Sequence, residues 1–200
     1  MQETEPDLLL RLRGGDEAAF AGLVRELHGS LVRVALSFVG VRAVAEEVAQ
    51  DTWASVLSSL AAFEGRSSLR TWIFRICTNG AKTRAEREAR STPASALGGE
   101  DEGSIEDGRF DEREHWAEPP RPWKDDTPEA ILERTEALQQ IQRTLLSLPA
   151  LQRAVITLRD LEGLDSVEAC AVLEISEANQ RVLLHRARQK VRRALEDLYR

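Results

Sequence analysis

Aromatic side chains are scarce: four Trp, one Tyr and five Phe in 200 residues. Such scarcity is common in small helical domains. There are two cysteines, Cys77 and Cys170, both isolated in apolar helical surroundings. That excludes a disulfide framework, and they read as small buried hydrophobes. The three histidines, His28, His115 and His185, are too scattered to hold a metal, and no cofactor is expected. No run of about 18 apolar residues occurs, so no membrane span is expected. The N-terminal stretch MQETEPDLLLRLRGGDE carries acids where a secretory signal needs a basic start and an apolar core, so a cytoplasmic location is expected. Strand-like alternation and hairpin dipeptides are missing too, which leaves helices.

What is present is enough apolar residue, 42% of the chain, to build one or two helical cores. Phe20, Leu23, Val24 and Leu27 recur at helical spacing after Asp16, a good N-cap. Gly29 is expected to separate this helix from a second one carrying Leu31, Val34, Ala35 and Phe38 and stopping near Gly40. A long helix is predicted over about Arg42–Ala62, then a loop, Phe63–Ser68, then a helix over about Leu69–Arg90. Further on, Thr127 and Pro128 open a helix with Ile131, Leu132, Leu138, Ile141, Leu145 and Leu148 in its core. Pro149 opens another that ends before Gly163, Asp165 and Glu168 form a capping box for a third, and Ser176 caps a fourth.

The net charge of −7 is unevenly spread. Residues 1–90 balance at 12 basic and 12 acidic side chains, and residues 131–200 carry 11 basic and 10 acidic. Residues 91–130 hold 4 basic against 12 acidic, with many Pro and Gly, and read as a tether; Trp116 and Trp123 within it could anchor on a partner. Three parts follow: an N-terminal helical domain over 1–91, an acidic flexible linker over 92–126, and a C-terminal helical domain over 127–200.

Two basic stretches stand against this acidic background. Leu173–Arg193, LEISEANQRVLLHRARQKVRR, reads as a helix end, a tight turn and a long helix: the second half of a helix-turn-helix. Between Ala178 and Leu195 it has six Lys/Arg and no acid. Glu177, Ala178, Asn179, Gln180 and Arg181 stand where side chains enter a major groove, with amides suited to adenine and Arg to guanine. Arg186, Arg188 and Lys190 suit phosphates, and Leu184, Ala187, Val191 and Leu195 suit the core. The other stretch, 66–90, holds Arg66, Arg70, Arg75, Lys82, Arg84, Arg87 and Arg90 against Glu86 and Glu88. Interleaved with Phe63, Trp72 and Asn79, these cations suit single-stranded DNA, whose bases stack on aromatic faces while Arg holds the backbone. Trp72 fits the core equally well.

Two blocks resemble the extracytoplasmic-function sigma factors of bacterial RNA polymerase. AEEVAQDTW, Ala45–Trp53, resembles that family's polymerase-binding helix, and RTWIFRICTN, Arg70–Asn79, its promoter-opening helix. LPALQRAVITLRDLEGL, Leu148–Leu164, with the helix-turn-helix and His185–Arg188 (HRAR), resembles its −35-reading domain. The resemblance implies an all-α, two-domain chain that lends promoter specificity to core polymerase and opens DNA without covalent chemistry. It implies polymerase docking on the coiled coil of the largest subunit through Glu46, Glu47, Val48, Gln50, Asp51 and Trp53, with a second contact to the flap. It implies −10 single-strand binding by Phe63, Arg66, Ser67, Arg70, Trp72, Arg75, Asn79, Lys82, Arg84 and Arg87. It implies −35 duplex binding by Glu177, Ala178, Asn179, Gln180, Arg181, His185, Arg186, Arg188 and Lys190. Implied too are an anti-sigma factor as partner, and an acidic linker that reaches the polymerase cleft.

Other classes remain open on residues alone. A helix-turn-helix regulator that never touches polymerase accounts for 127–200 but leaves 42–90 unexplained. A metal-dependent nuclease would use Glu46, Glu47 and Asp51, although no His or further carboxylate completes that set.

Overall fold

The structure, a computed structural model, describes residues 4–91 and 128–198, with side chains for 4–90 and 135–198. The acidic linker, its two Trp and the Thr127 cap lie outside the described residues. Every described element is helical: α1 (Glu5–Arg13), α2 (Glu17–Val39), α3 (Arg42–Ser59), α4 (Leu69–Ser91), α5 (Pro128–Ser147), α6 (Ala150–Ile156), α7 (Ser166–Leu173) and α8 (Glu177–Leu198). A 3-10 turn, Leu60–Ala62, extends α3, and a π-helical segment, Thr157–Leu161, extends α6.

Local chemistry sets most boundaries. Asp16 starts α2 by accepting a hydrogen bond from the Ala19 N–H at 3.0 Å. That bond, and then the Arg11 guanidinium, hold its carboxyl below the usual carboxylate range. Gly40, in the left-handed region at φ 70°, stops α2. In α7 the capping box forms as expected: Glu168 N–H donates to Asp165 Oδ1 at 2.8 Å and Asp165 N–H to Glu168 Oε2 at 3.1 Å. Ser176 Oγ accepts from Asn179 N–H at the start of α8.

One expected break does not occur. α2 runs unbroken through Gly29 for 23 residues. The buried stripe of Leu23, Leu27, Leu31, Val34 and Ala35 crosses that position without a change of phase. Each fully buried aliphatic side chain contributes about 1.5–3 kcal/mol, whereas one glycine inside a helix costs only about 1 kcal/mol.

Helices α2, α3 and α4 pack together into the N-terminal core around Phe74, Ile73, Leu31 and Val56, all fully buried. α1 closes one end: the Glu5 carboxylate accepts from the first N–H of α4, at Leu69, at 3.0 Å. In the C-terminal half, α5 and α6 pack on α8, and α7 crosses both α6 and α8. The two halves then meet, α7 lying on α4 and the α6–π segment on α2. Their buried residues form one continuous apolar cluster.

Candidate polymerase and nucleic-acid surfaces

Burial divides α3 cleanly. Ala45, Val48, Ala49, Thr52, Trp53 and Val56 face inward, while Glu47, Gln50, Asp51 and Ala54 share the outer face with half-buried Glu46 beside them. Val48 and Trp53 are thus core residues behind the acidic face. Trp53 packs edge-on against Phe20 at 5.7 Å, and its indole N–H donates to His28 Nδ1 at 3.3 Å. The acidic face adjoins the basic end of α4, with Glu47 Oε2 2.9 Å from Arg84. A groove of about 380 Å³ separates the two helices, lined by Glu47, Asp51, Asn79, Thr83, Arg84 and Arg87 among others. A hydrogen bond to Glu88 and the neighbouring Glu47 raise the Arg84 pKa and keep that guanidinium charged.

The loop before α4 is anchored rather than splayed. Phe63 is buried, its carbonyl accepts from Arg13, and its ring lies 4.9 Å from that of half-buried Trp72. Trp72 therefore packs on the core and still shows part of its surface. Arg66 projects from the loop and pairs with Glu64 at 2.9 Å, while Ser67 Oγ donates to the Ser68 carbonyl at 3.2 Å. Ser68 Oγ accepts the Thr71 N–H and so caps α4. Asn79 and Arg87 are exposed.

Three further α4 cations and Arg33 of α2 point at the C-terminal half, while Arg90 pairs with Glu86 on its own helix. Arg70 donates to the Glu162 carbonyl at 2.6 Å and lies 3.6 Å from its carboxylate, with its guanidinium 5.3 Å above the Phe74 ring. Arg33 of α2 reaches the same carboxylate at 2.7 Å. The Glu162 side chain is 2% exposed, so pairing with two guanidiniums is what allows a carboxylate to be buried there. Arg75 brings Nε and Nη2 onto a single oxygen of Glu174, Oε1, at 3.2 and 2.8 Å, Lys82 donates to the Leu173 carbonyl at 2.9 Å, and Thr71 Oγ1 donates to Glu168 Oε1 at 2.9 Å. None of these pairings is visible in the sequence, because the partners lie 91 to 129 residues apart and no local pattern marks them.

On the recognition helix, Glu177, Ala178, Asn179 and Arg181 are exposed, and His185, Arg186 and Lys190 are half-buried. His185 lies 2.8 Å from Gln189, ring nitrogen to side-chain amide. Two expected DNA contacts face the other way and are corrected. Gln180 is fully buried and accepts from Ser166 Oγ of α7 at 3.1 Å. Arg188 is 8% exposed and clamps Asp160 with two bonds of 2.9 and 2.6 Å. Both lie four residues from Leu184, on the face that also buries Ala187, so helix phase carries them into the core.

The fold and these surfaces define a helical DNA-binding protein with a helix-turn-helix at one end and an acidic docking face beside a cationic helix at the other. The family model "Sigma-70 region 2" matches residues 23–91, and "Sigma-70, region 4" matches residues 138–191. The RNA polymerase sigma-H factor of Pseudomonas aeruginosa is 30% identical over 200 residues, covering all of this chain and 97% of that protein. The ECF RNA polymerase sigma-E factor of Escherichia coli K12 is 29% identical, covering all of this chain and 98% of that one. Two solved structures share the fold. CnrH in complex with the cytosolic domain of CnrY has a TM-score of 0.60 at 24% identity, covering 95% of this chain and 96% of that one. The sigma factor RpoE in complex with the anti-sigma factor NepR from Bartonella quintana has a TM-score of 0.62 at 21% identity, covering 88% and 96%. The chain belongs to the extracytoplasmic-function sigma factors: it is an alternative sigma factor that binds core RNA polymerase, recognises promoter DNA and promotes its opening.

Proposed function

We propose that the work divides along the chain, with residues 1–91 binding polymerase and the −10 strand, 92–126 linking, and 127–200 reading −35. Core polymerase meets the outer face of α3 through Glu46, Glu47, Gln50 and Asp51, with Val48 and Trp53 setting that face from behind. The observation that carries this is the acidic outer face itself, which presents fixed charges on a rigid helix backed by core. An acidic face of this kind suits a basic coiled coil, giving orientation and association rate more than raw affinity. The −10 single strand lies along α4, with Arg66, Arg70, Arg75, Lys82, Arg84 and Arg87 on phosphates and the exposed part of Trp72 available for stacking. Phe63 and Ser67 shape the loop, and Asn79 offers an amide to a base. Holding an unpaired strand stabilises the opened state, so opening needs binding energy and no covalent step. The chain therefore acts by binding alone, in the cytoplasm where polymerase is. At −35, Glu177, Ala178, Asn179 and Arg181 meet base edges while His185, Arg186 and Lys190 approach the backbone. An anti-sigma factor is the natural negative partner, as in the solved complex of RpoE with the anti-sigma factor NepR, which shares the fold.

The test is co-elution of the full chain with bacterial core polymerase at moderate salt. A stoichiometric complex, lost on Glu47→Lys with Asp51→Lys while helicity is unchanged, supports the assignment. A complex indifferent to both reversals removes α3 from the interface.

A further inference from the structure

We infer that α1 is a clamp for the loop that receives the −10 strand: Arg13 and Glu5 are positioning residues that fix the two ends of residues 64–68 and so set which base the loop accepts. The inference rests on the reading of that loop as part of the −10 surface.

The loop is exposed in its middle and pinned at both margins. Glu64, Gly65 and Arg66 are exposed and Ser67 and Ser68 half-buried, while Phe63 before them and Leu69 after them are buried. The Phe63 carbonyl accepts from Arg13 Nη2, and the Leu69 N–H donates to Glu5 Oε1 at 3.0 Å. One nine-residue helix therefore holds both ends of the loop, from 50 and 64 residues away in the chain. The first N–H groups of a helix have no partner within it. In α4 the Thr71 N–H goes to Ser68 Oγ and the Leu69 N–H to Glu5, so the point where loop becomes helix is set by a side chain of another element. Gly65, at φ 71°, supplies the reversal between the pins.

The clamp is itself well held. Leu12 is buried, Leu8 and Leu9 pack against the core, Gly15 turns the chain towards α2 at φ 77°, and Arg11 bonds Asp16, the α2 N-cap, at 2.8 Å. A site discriminates between bases only while its donors and acceptors are held to within about 0.5 Å. A loop freed at one end loses that precision before the cations lose their attraction for the backbone, since phosphate contacts carry no sequence information. Base choice and strand affinity therefore separate: α1 governs the first and the α4 cations the second.

The test uses holoenzyme assembled from the full chain and bacterial core polymerase, offered a pool of randomised single strands of about 12 nucleotides. Sequencing of the bound fraction reads base enrichment, and fluorescence anisotropy of the unselected pool reads affinity. Amide hydrogen exchange of residues 64–69 reads the pins themselves. Wild type is expected to enrich one base at one position by about tenfold. Glu5 and Arg13 are both exposed, so their truncation removes little core. Glu5→Ala and Arg13→Ala are each expected to cut the enrichment to about twofold or less and to speed exchange in the loop, with pool affinity within about twofold of wild type and core binding unchanged. Glu5→Gln is expected to keep the enrichment, because its carboxamide oxygen still accepts the Leu69 N–H and only the charge is lost. Equal loss in Glu5→Gln and Glu5→Ala, or enrichment and pool affinity falling together, makes α1 a direct strand contact and overturns the clamp. Wild-type enrichment in both Ala variants overturns it too, whether or not exchange quickens. A triple loop variant, Glu64→Ala with Arg66→Ala and Ser67→Ala, tests the premise. If it enriches as the wild type does, or if the wild type enriches no base, the reading of the loop as −10 surface fails instead. If Glu5→Ala loses helicity, Arg13→Ala decides by the same criteria.

Discussion

Gln180 is the most informative single residue for stability. Its carboxamide oxygen is bonded, but its nitrogen is buried with no hydrogen-bond partner, and such a donor costs about 1–3 kcal/mol. Gln180→Met keeps the length, removes the orphan donor and leaves half-buried Ser166 to bond water. It is expected to raise thermal stability by about 1 kcal/mol and to leave duplex affinity unchanged. A loss of duplex affinity would return Gln180 to the DNA surface. Arg188→Leu goes the other way: Asp160, partly buried, loses its fork, at a cost of about 2 kcal/mol in denaturant titration. The two thiols also separate. Burial pushes Cys77 up to about 12, whereas Cys170 is only partly buried. At mildly alkaline pH a thiol reagent is expected to modify Cys170 first, with Cys77 reacting only on unfolding; mass analysis of tryptic peptides distinguishes them.

At the scale of elements, helix ends are where local sequence speaks most directly. Asp16, the Asp165–Glu168 box and Ser176 each make the bond their position forecasts, because a cap involves only residues within one turn. The interior of α2 shows the limit of the same reasoning. Gly29 is a genuine local weakness that a continuous buried stripe overrides, and the stripe was countable in the sequence while its weight against the glycine was not. Gly29→Ala is therefore expected to stabilise the protein by about 0.5–1 kcal/mol. A Cβ there would meet only the Arg33 guanidinium, at an ordinary 3.6 Å. The check is a rise in melting temperature of about 1–4 °C. The recognition helix teaches a related lesson. Leu184 and Ala187 fix its inward face, and arithmetic in steps of four puts Gln180 and Arg188 there too. Their polar chemistry argues for solvent, yet the phase of the helix decides, and the neighbouring Ser166 and Asp160 satisfy much of what burial demands. On α3 the same counting assigns Val48 and Trp53 to the core and Glu47, Gln50 and Asp51 to the outside.

For the whole molecule, what was legible was the all-helical class and the order of its parts. How the halves meet was not, since no local pattern singles out Glu162 or Arg33, and Arg70 reads as a contact for single-stranded DNA. A contact between residues 129 apart leaves no periodic trace. Because the buried residues of both halves form one cluster, the intact chain is expected to melt in a single calorimetric transition. Ser37→Arg, which drives a long side chain into the buried contact of Ser37 with Thr157 between the halves, should split that transition in two, one for each half. Two transitions already in the wild type would mean that the halves are energetically independent.

The closing contacts also impose an order in time. Arg33, Arg70, Arg75 and Lys82 are all synthesised well before Glu162, Leu173 and Glu174. Helices α1 to α4 make their own core and their own cap through Glu5, so that half has what it needs to fold while the rest of the chain is still being translated. Until the last quarter of the chain emerges, Arg70, Arg75 and Lys82 lack the C-terminal partners they hold in the finished protein, while Arg84 already has Glu47 and Glu88. A nascent chain therefore passes through an interval in which those three cations are solvated, and that interval ends when the C-terminal half arrives.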